Sequence, residues 1–361
     1  MKRWLITPGN AANDQSSAFG KAYSDVAEIA QTQGYQLLTI TPFQVDETSD
    51  AVLISRIDGL TAGVSADDFL VYQYPTFLGA RFDYTFVDHL RARGARVILF
   101  IHDVFALFLS ADGKGYHDMD FFNHADLLIT HGSQMTRWLR DHDVTTPMVD
   151  KPLFDYLLPE KNNIAHEIPQ RRLVITGNLL KSQDLTHWES NTPLDAYGRT
   201  SIVGVDGVEQ HMSLSPQITY HGALLQDELL SQLPKNAFGL VWDSDVPVAP
   251  FSNVNFYGFY KHYNKYNNPH KASLYLAMGL PLVVWQEAAI AKLVLDYNLG
   301  FTIQAPSEID ARLSALTDEK LSHYSKQAQF FSALLRAGYF TRQALLDAEK
   351  SILFKLLERR E

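Results

Sequence analysis

The stretch YNNPHKASLYLAMGLPLVVW, residues 266–285, contains a helix-length segment followed by a short apolar strand. Pro269 stands where proline is favoured, at the start of a helix, and Gly279 stands where glycine is favoured, just after its end. The sequence therefore predicts a helix from about Pro269 to Met278 and a buried strand over residues 282–285. A helix that leads directly into a buried strand is typical of βαβ folds.

The same alternation extends outward through the chain. The segments SSAFGKAYSDVAEIAQTQG and RFDYTFVDHLRARG have helical periodicity, and both stop at a glycine, as a helix C-terminus prefers. Candidate strands of the first half are residues 4–7, 36–40, 69–73, 96–101 and 126–130. Candidate strands of the second half are residues 173–176, 201–203, 217–220, 238–242, 282–285 and 301–303. The pattern indicates an α/β fold with mainly parallel sheets.

A chain of 361 residues is too long for one ordinary core and suits two domains of roughly 150–200 residues each. The Pro-, Asn- and charge-rich stretch KPLFDYLLPEKNNIAHEIPQ is the best boundary. We expect one domain at residues 1–160, a second at 168–335 and a C-terminal helix at 336–361. Each domain is predicted to be a doubly wound, Rossmann-like lobe whose strand-to-helix loops face a shared cleft.

The final segment YFTRQALLDAEKSILFKLLERR places Leu345, Ala348, Ile352 and Leu356 along one helical stripe. This stripe is predicted to be a packing surface. It either crosses back to the first lobe or meets another subunit, and the sequence leaves both alternatives open.

Composition excludes several classes of protein. The chain has 31 Lys and Arg against 41 Asp and Glu, a formal net charge of −10, which argues against nucleic-acid binding as its main activity. It has no cysteine, which fits a reducing cytoplasm. The start, MKRWLITPGN, is expected to be a strand and not a signal peptide. The most apolar run, VILFIHDVFALFL, is interrupted by His102 and Asp103, so no transmembrane segment is expected.

Lys271 stands in the first turn of the predicted helix, where a cation is mildly unfavourable unless an anion binds there. A diphosphate would resolve the conflict, and small Ala272 and Ser273 would let it approach. The alternative is a surface lysine on an ordinary helix.

Two further loops of the second lobe carry candidate ligand-binding residues. In ITGNLLKSQDL, Lys181 follows the Gly177–Asn178 turn and would add a second cation, or would simply be solvated. In TYHGALLQDELL, Tyr220 ends a strand, where its ring either lies against a nucleobase or packs in the core.

In the first lobe, His102 and Asp103 directly follow an apolar strand and are the best candidates for a catalytic base. Separately, each has an ordinary structural role available, such as a helix cap or a backbone hydrogen bond. The loop TPGNAANDQSSAF lacks a GxGxxG pattern, so a dinucleotide fingerprint is not supported. Ser16 and Ser17 are typical helix-capping residues, and either hydroxyl would also reach a diphosphate that lay across the cleft.

Asp243 and Asp245 form a D-x-D pair after a strand, a spacing that suits Mg²⁺ or Mn²⁺ but also occurs often in loops. We favour phosphate binding by the lysines and expect no metal site. The histidines at 117, 124 and 131 recur every seven residues, but no acidic partners at ligand spacing make them a convincing metal site, and they are interpreted as structural. The loop over residues 246–268 is long and aromatic, which suggests a lid, a sugar-stacking surface or plain packing. Its aromatic residues are Phe251, Phe256, Tyr257, Phe259, Tyr260, Tyr263 and Tyr266.

A set of motifs spans nearly the whole chain in a shared order: DQSSA, RIDGL, YQYPTF, VILFIHDV, GN with Lys181, FGLVW, PHK with AMGLP, and GYFTRQALL. In these motifs the chain resembles glycosyltransferases of the two-domain GT-B architecture. More specifically, it resembles the glucosyltransferase-3-type family of Gram-positive bacteria, which extends O-linked GlcNAc on serine-rich-repeat adhesins and is related to β-1,6-galactofuranosyltransferases.

The resemblance implies a UDP-sugar donor, with UDP-glucose first, bound chiefly by the second lobe. By position, Ser17 would touch the UDP, Lys181 the phosphates, and Tyr220 with its neighbours His221, Gly222 and Ala223 the uridine. The diphosphate would lie against Pro269, His270, Lys271, Ala272, Ser273 and Leu274. Family members form tetramers, which implies a homo-oligomer. The chain departs from the family in having Lys181 where arginine is expected, and a longer loop at 246–268.

The resulting prediction is a metal-independent hexosyltransferase of the cytoplasm that needs no cofactor. Lys271 and Lys181 would stabilise the leaving UDP, and Asp103, or else His102, would be the base if the reaction inverts. The acceptor implied is a GlcNAc-bearing glycoprotein or glycan. The alternatives are a UDP-galactofuranose-dependent enzyme of polysaccharide synthesis and a non-catalytic, glycopeptide-binding subunit.

Overall fold

The first lobe is built around a parallel sheet whose strands match most of the predicted apolar runs. The computed structural model describes residues 1–9, 18–109, 117–159, 167–203, 207–245 and 258–358. The strands of the first lobe are β1 (Arg3–Pro8), β2 (Gln36–Ile40), β3 (Phe69–Tyr74), β4 (Arg96–Ile101), β5 (Leu127–Thr130) and β6 (Met148–Asp150). Its helices are α1 (Ala18–Thr32), α2 (Asp50–Leu60), α3 (Ala80–Ala92), α4 (Phe105–Phe108), α5 (Asp118–Phe122) and α6 (Ser133–Asp141).

These strands lie in the order β2-β1-β3-β4-β5-β6, and neighbouring strands are parallel. Strands β3 and β4 are buried along nearly their whole length because hydrophobic clusters cover both faces of the sheet. For that reason they occur in the sequence as continuous apolar runs. The strand order reverses between β1 and β3, so the crevice of this lobe lies at the carboxyl ends of its strands.

The second lobe repeats this plan. Its strands are β7 (Leu173–Asn178), β8 (Leu194–Arg199), β9 (Ser201–Val203), β10 (Glu209–His211), β11 (Ile218–Tyr220), β12 (Phe238–Val241), β13 (Leu282–Trp285) and β14 (Gly300–Ile303). Its helices are α7 (Gln226–Gln232), α8 (Tyr260–Tyr263), α9 (His270–Ala277), α10 (Ala291–Asp296), α11 (Ile309–Ser314) and α12 (Asp318–Arg336).

The main sheet of the second lobe has the order β11-β8-β7-β12-β13-β14, with neighbouring strands parallel, and its order reverses between β7 and β12. Strands β9 and β10 form a separate antiparallel hairpin. The two doubly wound sheets confirm the predicted fold class, which is α/β with two Rossmann-like lobes in the GT-B arrangement. Ligands of such sheets bind where the strand order reverses, at the carboxyl ends.

The sequence prediction missed β8. The strand predicted at 201–203 is present, but it belongs to the hairpin, and the neighbour of β7 is the segment just before it. Asp195 stands inside β8, where its carboxylate accepts hydrogen bonds from Arg172 and, at 2.8 Å, pairs with the ring of His221. This buried charge, together with Gly198, interrupts the apolar pattern that marks the other strands.

The helix predicted over 269–278 is confirmed as α9, with Pro269 as its N-cap and Met278 as its C-cap. Gly279 follows with a φ of 76°, the left-handed conformation in which glycine commonly ends a helix.

The last helix, α13 (Tyr339–Glu358), crosses back to the first lobe. Leu345, Ala348 and Ile352 are buried in one cluster with side chains of β1, β3, β4 and β5. The side chain of Leu356, the fourth member of the predicted stripe, lies outside the described residues. The other three members therefore pack inside the chain, on the face of the first sheet that α1 also covers.

Polar contacts fix the position of this crossing helix. The carboxylate of Glu349 accepts 2.6 Å hydrogen bonds from Nε of Arg3 and from the hydroxyl of Tyr35, both in the first lobe. Asp155, in the link between the lobes, accepts a 2.6 Å hydrogen bond from the amide of Thr341 at the start of the helix. Within the described part of the chain, no helix is both long and apolar enough to cross a membrane.

Candidate active site

Two loops meet at the point where the order of the second sheet reverses. Lys181 closes a short 3₁₀ turn that directly follows β7, and Asp243 comes two residues after β12. The amide of Ser244 donates to the carbonyl of Lys181 at 2.8 Å, and the hydroxyl of Ser182 donates to the carbonyl of Trp242 at 2.7 Å. These two hydrogen bonds hold the loops side by side at the expected ligand-binding edge.

Lys271, in the first turn of α9, is held by an acidic side chain from the neighbouring loop. Its Nζ lies 3.1 Å from Oδ1 of Asp243, and Oδ2 of Asp243 accepts a 2.8 Å hydrogen bond from Nδ2 of Asn264. The side chains of Lys271 and Asp243 are only 14% and 5% exposed. Because a cation at a helix start is unfavourable, the carboxylate offsets the cost of placing the ammonium group there.

Lys181 provides a second ammonium group at the same edge. Its Nζ lies 3.7 Å from the centre of the Tyr260 ring. Burial lowers the pKa of Lys181 to about 8; the charge of Lys271 acts in the same direction, and those of Asp243 and Asp103 oppose it. The two lysines predicted from the sequence are therefore close enough to interact, and Lys181 also interacts with Asp103 of the first lobe.

The start of α9 presents backbone and small side chains next to Lys271. Ala272 and Ser273 are fully buried, and Leu274 packs into the core of the second lobe. Pro269, as the N-cap, has no polar side chain with which to cap the first turn. The amide groups of a helix start attract anions, so this edge combines a helix terminus with two ammonium groups.

His270 points toward the boundary between the lobes. Its ring centre lies 5.0 Å from that of Tyr156 and 5.9 Å from that of Phe154, both in the link. Burial lowers the pKa of His270 to about 3, helped by the charges of nearby lysines, so the ring is neutral at pH 7. Its Nε2 has no hydrogen-bond partner within the described ranges.

Asp103, just past the carboxyl end of β4, is a first-lobe carboxylate that interacts with Lys181. One carboxylate oxygen accepts a 3.1 Å hydrogen bond from the hydroxyl of Tyr263. Burial raises the pKa of Asp103 to about 6, against the opposing effects of Lys181 and Tyr263. The side chain is partly exposed, so a hydroxyl group that enters the cleft can reach it.

His102, the preceding residue, is buried, and its tautomer is set by Gln73. The side-chain nitrogen of Gln73 donates to the carbonyl of Ile6 and to the hydroxyl of Thr7, so its oxygen accepts from Nε2–H of His102 at 2.9 Å. Nδ1 of His102 then carries a lone pair, without a hydrogen-bond partner among the residues described. Burial and the charge of Lys151 hold the pKa of His102 well below its usual value. Asp103 is therefore the more accessible base.

The predicted nucleobase-binding residues lie at one side of this edge, after β11. Tyr220 is 46% exposed, and its hydroxyl donates to a backbone carbonyl at the end of β8. His221 pairs with Asp195, the carbonyl of Gly222 accepts a 2.8 Å hydrogen bond from the amide of Gly198 in β8, and Ala223 follows in the loop. Strand β11 is two strand spacings, or about 10 Å, from β7. Tyr220 therefore offers an open aromatic face at a nucleotide's length from the lysines.

Both carboxylates of the D-x-D pair have cationic partners. Asp243 pairs with Lys271, as described above, and Asp245 pairs with Lys261 at 2.8 Å. The described residues contain no group of three or more His, Asp or Glu side chains arranged to hold a metal ion. The arrangement favours interaction of these carboxylates with ammonium groups.

Two of the histidines interpreted as structural have partners in the first lobe. His124 pairs with Asp88 at 2.7 Å, and Nε2 of His131 lies 3.1 Å from the carbonyl oxygen of Ile101. The ring of His117 lies near that of Tyr84.

The described end of the aromatic loop packs between the lobes. Tyr260 and Tyr263 are buried in the hydrophobic cluster of the first lobe, where both rings contact Phe108. The amide of Phe259 donates to the carbonyl of the same Phe108 at 2.6 Å. This end of the loop is therefore a bridge between the lobes. The predictions made for Phe251, Phe256 and Tyr257 lie outside the described residues, as do those for Ser16 and Ser17.

Two side chains of this region were not predicted from the sequence. Asn264, which binds Asp243, stands in a loop without a recognisable motif. Arg199 ends β8, the strand that was not predicted, so its position at the carboxyl edge was not apparent. A strand pattern that accepts one charged residue inside a buried strand would have predicted β8 and, with it, the position of Arg199.

Comparisons with known proteins agree with this architecture. The family model described as "Glucosyltransferase 3-like, N-terminal domain" matches residues 3–153, and "Glucosyltransferase 3-like, C-terminal domain" matches residues 173–348. Glucosyltransferase 3 of Streptococcus gordonii is 29% identical over 338 residues, which cover 92% of this chain and 94% of that protein. Beta-1,6-galactofuranosyltransferase WbbI of Escherichia coli is 25% identical over 329 residues, which cover 90% of this chain and 92% of that protein.

Solved structures share the fold at low sequence identity. A sucrose-phosphate synthase from Thermosynechococcus elongatus superposes with a TM-score of 0.61 at 12% identity, covering 100% of both chains. An alpha,alpha-trehalose-phosphate synthase (UDP-forming) from Burkholderia vietnamiensis superposes with a TM-score of 0.59 at 10% identity, covering 97% of this chain and 100% of that one. With both family models matched in order along the two lobes, the chain belongs to the glucosyltransferase 3-like family and is a glycosyltransferase.

Proposed function

We propose that the enzyme transfers a hexose, with glucose as the first candidate, from a UDP-sugar to a hydroxyl group of a glycan acceptor. The observation that carries the proposal is the convergence of Lys181 and Lys271 in the second lobe opposite Asp103 in the first. Two ammonium groups and a helix start suit a departing nucleoside diphosphate, and a carboxylate opposite them suits a hydroxyl group that must lose its proton.

In the proposed reaction, the bond between the anomeric carbon and the β-phosphate oxygen breaks, and that oxygen keeps the electron pair. Lys181, Lys271 and the first amides of α9 stabilise the negative charge that develops on the diphosphate. Such charges act more strongly in a partly buried site than in water. The pKa of Lys181, about 8 without ligand, rises when an anion binds beside it, so the ammonium form is the one that meets the phosphate.

Asp103 serves as the base in an inverting reaction. The acceptor oxygen forms the new bond to the anomeric carbon, and its proton passes to the Asp103 carboxylate. A pKa of about 6 leaves this group ionised at pH 7 yet more basic than an ordinary aspartate, as a base near neutral pH requires. The hydrogen bond from Tyr263 fixes its orientation.

We further propose that the reaction needs no metal ion and no other cofactor. What supports this is the buried pair of Asp243 with Lys271, because a divalent cation would have to displace the ammonium group from that carboxylate. The charge that a metal ion supplies in other nucleotide-sugar sites is supplied here by Lys181 and Lys271.

The proposed acceptor is a GlcNAc-bearing glycoprotein, such as a serine-rich-repeat adhesin, or a related glycan. The support is the family membership and the identity with Glucosyltransferase 3 of Streptococcus gordonii. We propose the cytoplasm as the compartment, in keeping with a chain that has no cysteine. Assembly into a homo-oligomer stays a prediction.

A second candidate donor is UDP-galactofuranose, with the product entering a polysaccharide. It is favoured by the 25% identity to a β-1,6-galactofuranosyltransferase along nearly the whole chain. Lysine at position 181, in place of the expected arginine, keeps the charge but loses a bidentate fork, which leaves room for a different donor preference.

A UDP-release assay distinguishes these alternatives. The purified enzyme is incubated with UDP-glucose or UDP-galactofuranose, with a GlcNAc-peptide or free sugars as acceptors, in the presence and absence of EDTA. We expect acceptor-dependent UDP release from UDP-glucose, unchanged by EDTA. Release from UDP-galactofuranose alone would favour the second donor. A chain that binds no UDP in calorimetry would instead be a non-catalytic subunit.

A further inference from the structure

Arg199 lies beside the proposed diphosphate site, at the carboxyl end of β8. In the pairing of β7 with β8, it stands opposite Asn178, the residue after which the turn to Lys181 begins. Its side chain is exposed, and it has no hydrogen-bond or ion-pair partner among the residues that the structure describes. An arginine at a ligand-binding edge with free N–H groups is well suited to bind an anion.

The two lysines differ from Arg199 in this respect. Nζ of Lys271 is engaged with Asp243 at 3.1 Å, and Nζ of Lys181 lies over the ring of Tyr260 at 3.7 Å. An anion that enters the site competes with these internal partners for both lysines. It meets no such competition at the guanidinium group.

The electrostatic effect of Arg199 shows that it is close to the other groups. After burial and the larger charge effects of Asp243, Lys271 and Asp103, the positive charge of Arg199 contributes to the lowered pKa of Lys181. The same charge lowers the pKa of Tyr260, although burial outweighs it there. Arg199 and Lys181 therefore belong to one positively charged edge.

The strand order places these groups in a row. Tyr220 follows β11, Arg199 ends β8, Lys181 follows β7, and Asp243 with its partner Lys271 lies beyond β12. Neighbouring strands are about 4.8 Å apart, so Arg199 lies between Tyr220 and Lys181 along a span of about 10 Å. A nucleotide whose base stacks on Tyr220 and whose β-phosphate meets the lysines has its α-phosphate beside Arg199.

We propose that Arg199 binds the α-phosphate of the donor nucleotide through its guanidinium fork. This inference rests on the proposed function, because it assumes a nucleotide with its base at Tyr220. The planar fork donates two parallel hydrogen bonds to phosphate oxygens, which a lysine cannot do. Arg199 thus supplies the bidentate contact that Lys181 lacks, and it acts on donor binding more than on the chemical step.

The test is calorimetric binding of UDP and UMP to the wild-type chain and to Arg199→Ala, Arg199→Lys and Lys271→Ala. Arg199→Ala should weaken the binding of both nucleotides by about tenfold or more, as expected for the loss of a charge-assisted contact. The affinity of Arg199→Lys for each nucleotide should fall between that of the wild type and that of Arg199→Ala. Lys271→Ala should weaken the binding of UDP but not of UMP, because the Lys271 side chain contacts the β-phosphate, which UMP lacks. Arg140→Ala, an exposed arginine at the end of α6, is the matched control and should bind like the wild type.

Steady-state kinetics gives a second readout. Arg199→Ala should raise the KM for the UDP-sugar by about the same factor while kcat changes little, because the contact is present before and during bond breaking. Wild-type affinity of Arg199→Ala for UMP, or a loss confined to UDP, would overturn the assignment to the α-phosphate. A wild-type chain that binds neither nucleotide would instead refute the proposed function, so the two failures are distinct.

Discussion

Lys271 and Asp243 form a 3.1 Å ion pair at the start of α9, the edge at which a diphosphate would bind. The protein thus carries its own anion beside the ammonium group that the leaving group needs. The carboxylate orients Lys271 when the site is empty, and it competes with the phosphate when the site is filled. This competition should make it easier for the product UDP to leave.

Asp243→Asn removes the competing charge while it keeps the size of the side chain. UDP should bind about tenfold more tightly, equivalent to about 1.4 kcal/mol. The free energy of unfolding should fall by about 1–3 kcal/mol, because Lys271 and Asn264 lose a buried charged partner. Calorimetry with UDP and denaturant unfolding measure the two effects. Asp245→Asn is the control, since Asp245 is 81% exposed and its pair with Lys261 should contribute little. Unchanged UDP affinity in Asp243→Asn would argue against phosphate binding at Lys271.

Asp103 should govern the acidic side of the pH dependence of the enzyme. A base acts only when deprotonated, and the pKa of Asp103 is raised to about 6. The wild-type kcat/KM should therefore rise with pH through about 6 and fall again above about 8, where Lys181 of the free enzyme loses its proton. Asp103→Asn should lower kcat by roughly 10²–10⁴-fold and abolish that rise. Circular dichroism verifies that the variant is folded, and Asp296→Asn on the exposed face of α10 is the control. Full activity in Asp103→Asn would mean that another group removes the proton.

The crossing helix should contribute directly to stability through Glu349. Glu349→Ala leaves the buried hydroxyl of Tyr35 and the guanidinium group of Arg3 without their acceptor. The free energy of unfolding should fall by about 1–3 kcal/mol. Asp347→Ala, on the exposed side of the same helix, should change it by less than about 0.5 kcal/mol. Equal effects of the two variants in denaturant unfolding would show that the contacts with Arg3 and Tyr35 add nothing.

The sequence predicted well those elements whose residue pattern follows from a single physical constraint, either burial on both faces of a sheet or the backbone preference of proline and glycine. Strands β4 and β13 were placed at their observed bounds because helices cover both faces of each sheet and require continuous apolar runs. The bounds of α9 followed from Pro269 and Gly279, whose backbone preferences hold in any context.

The elements that were missed depend on partners distant in sequence. Strand β8 contains Asp195, a charge that is tolerated there because Arg172, just before β7, and His221, just after β11, approach it. Without β8, the position of Arg199 at the site could not be predicted. Similarly, the sequence left three alternatives open for Tyr260 and Tyr263, which were a lid, a sugar-stacking surface and plain packing. They are buried against the first lobe because of how the two lobes meet, and a local sequence pattern cannot predict that contact.

The most direct test of the central claim is UDP binding by Lys181→Ala and Lys271→Ala in the presence of EDTA. Each variant should remain folded and bind UDP at least about tenfold more weakly than the wild type, with kcat reduced by roughly 10²-fold or more. Lys292→Ala, an exposed lysine on α10, should match the wild type, and EDTA should leave the wild-type affinity unchanged. Wild-type affinity for UDP in both lysine variants, or loss of wild-type binding in EDTA, would contradict the account.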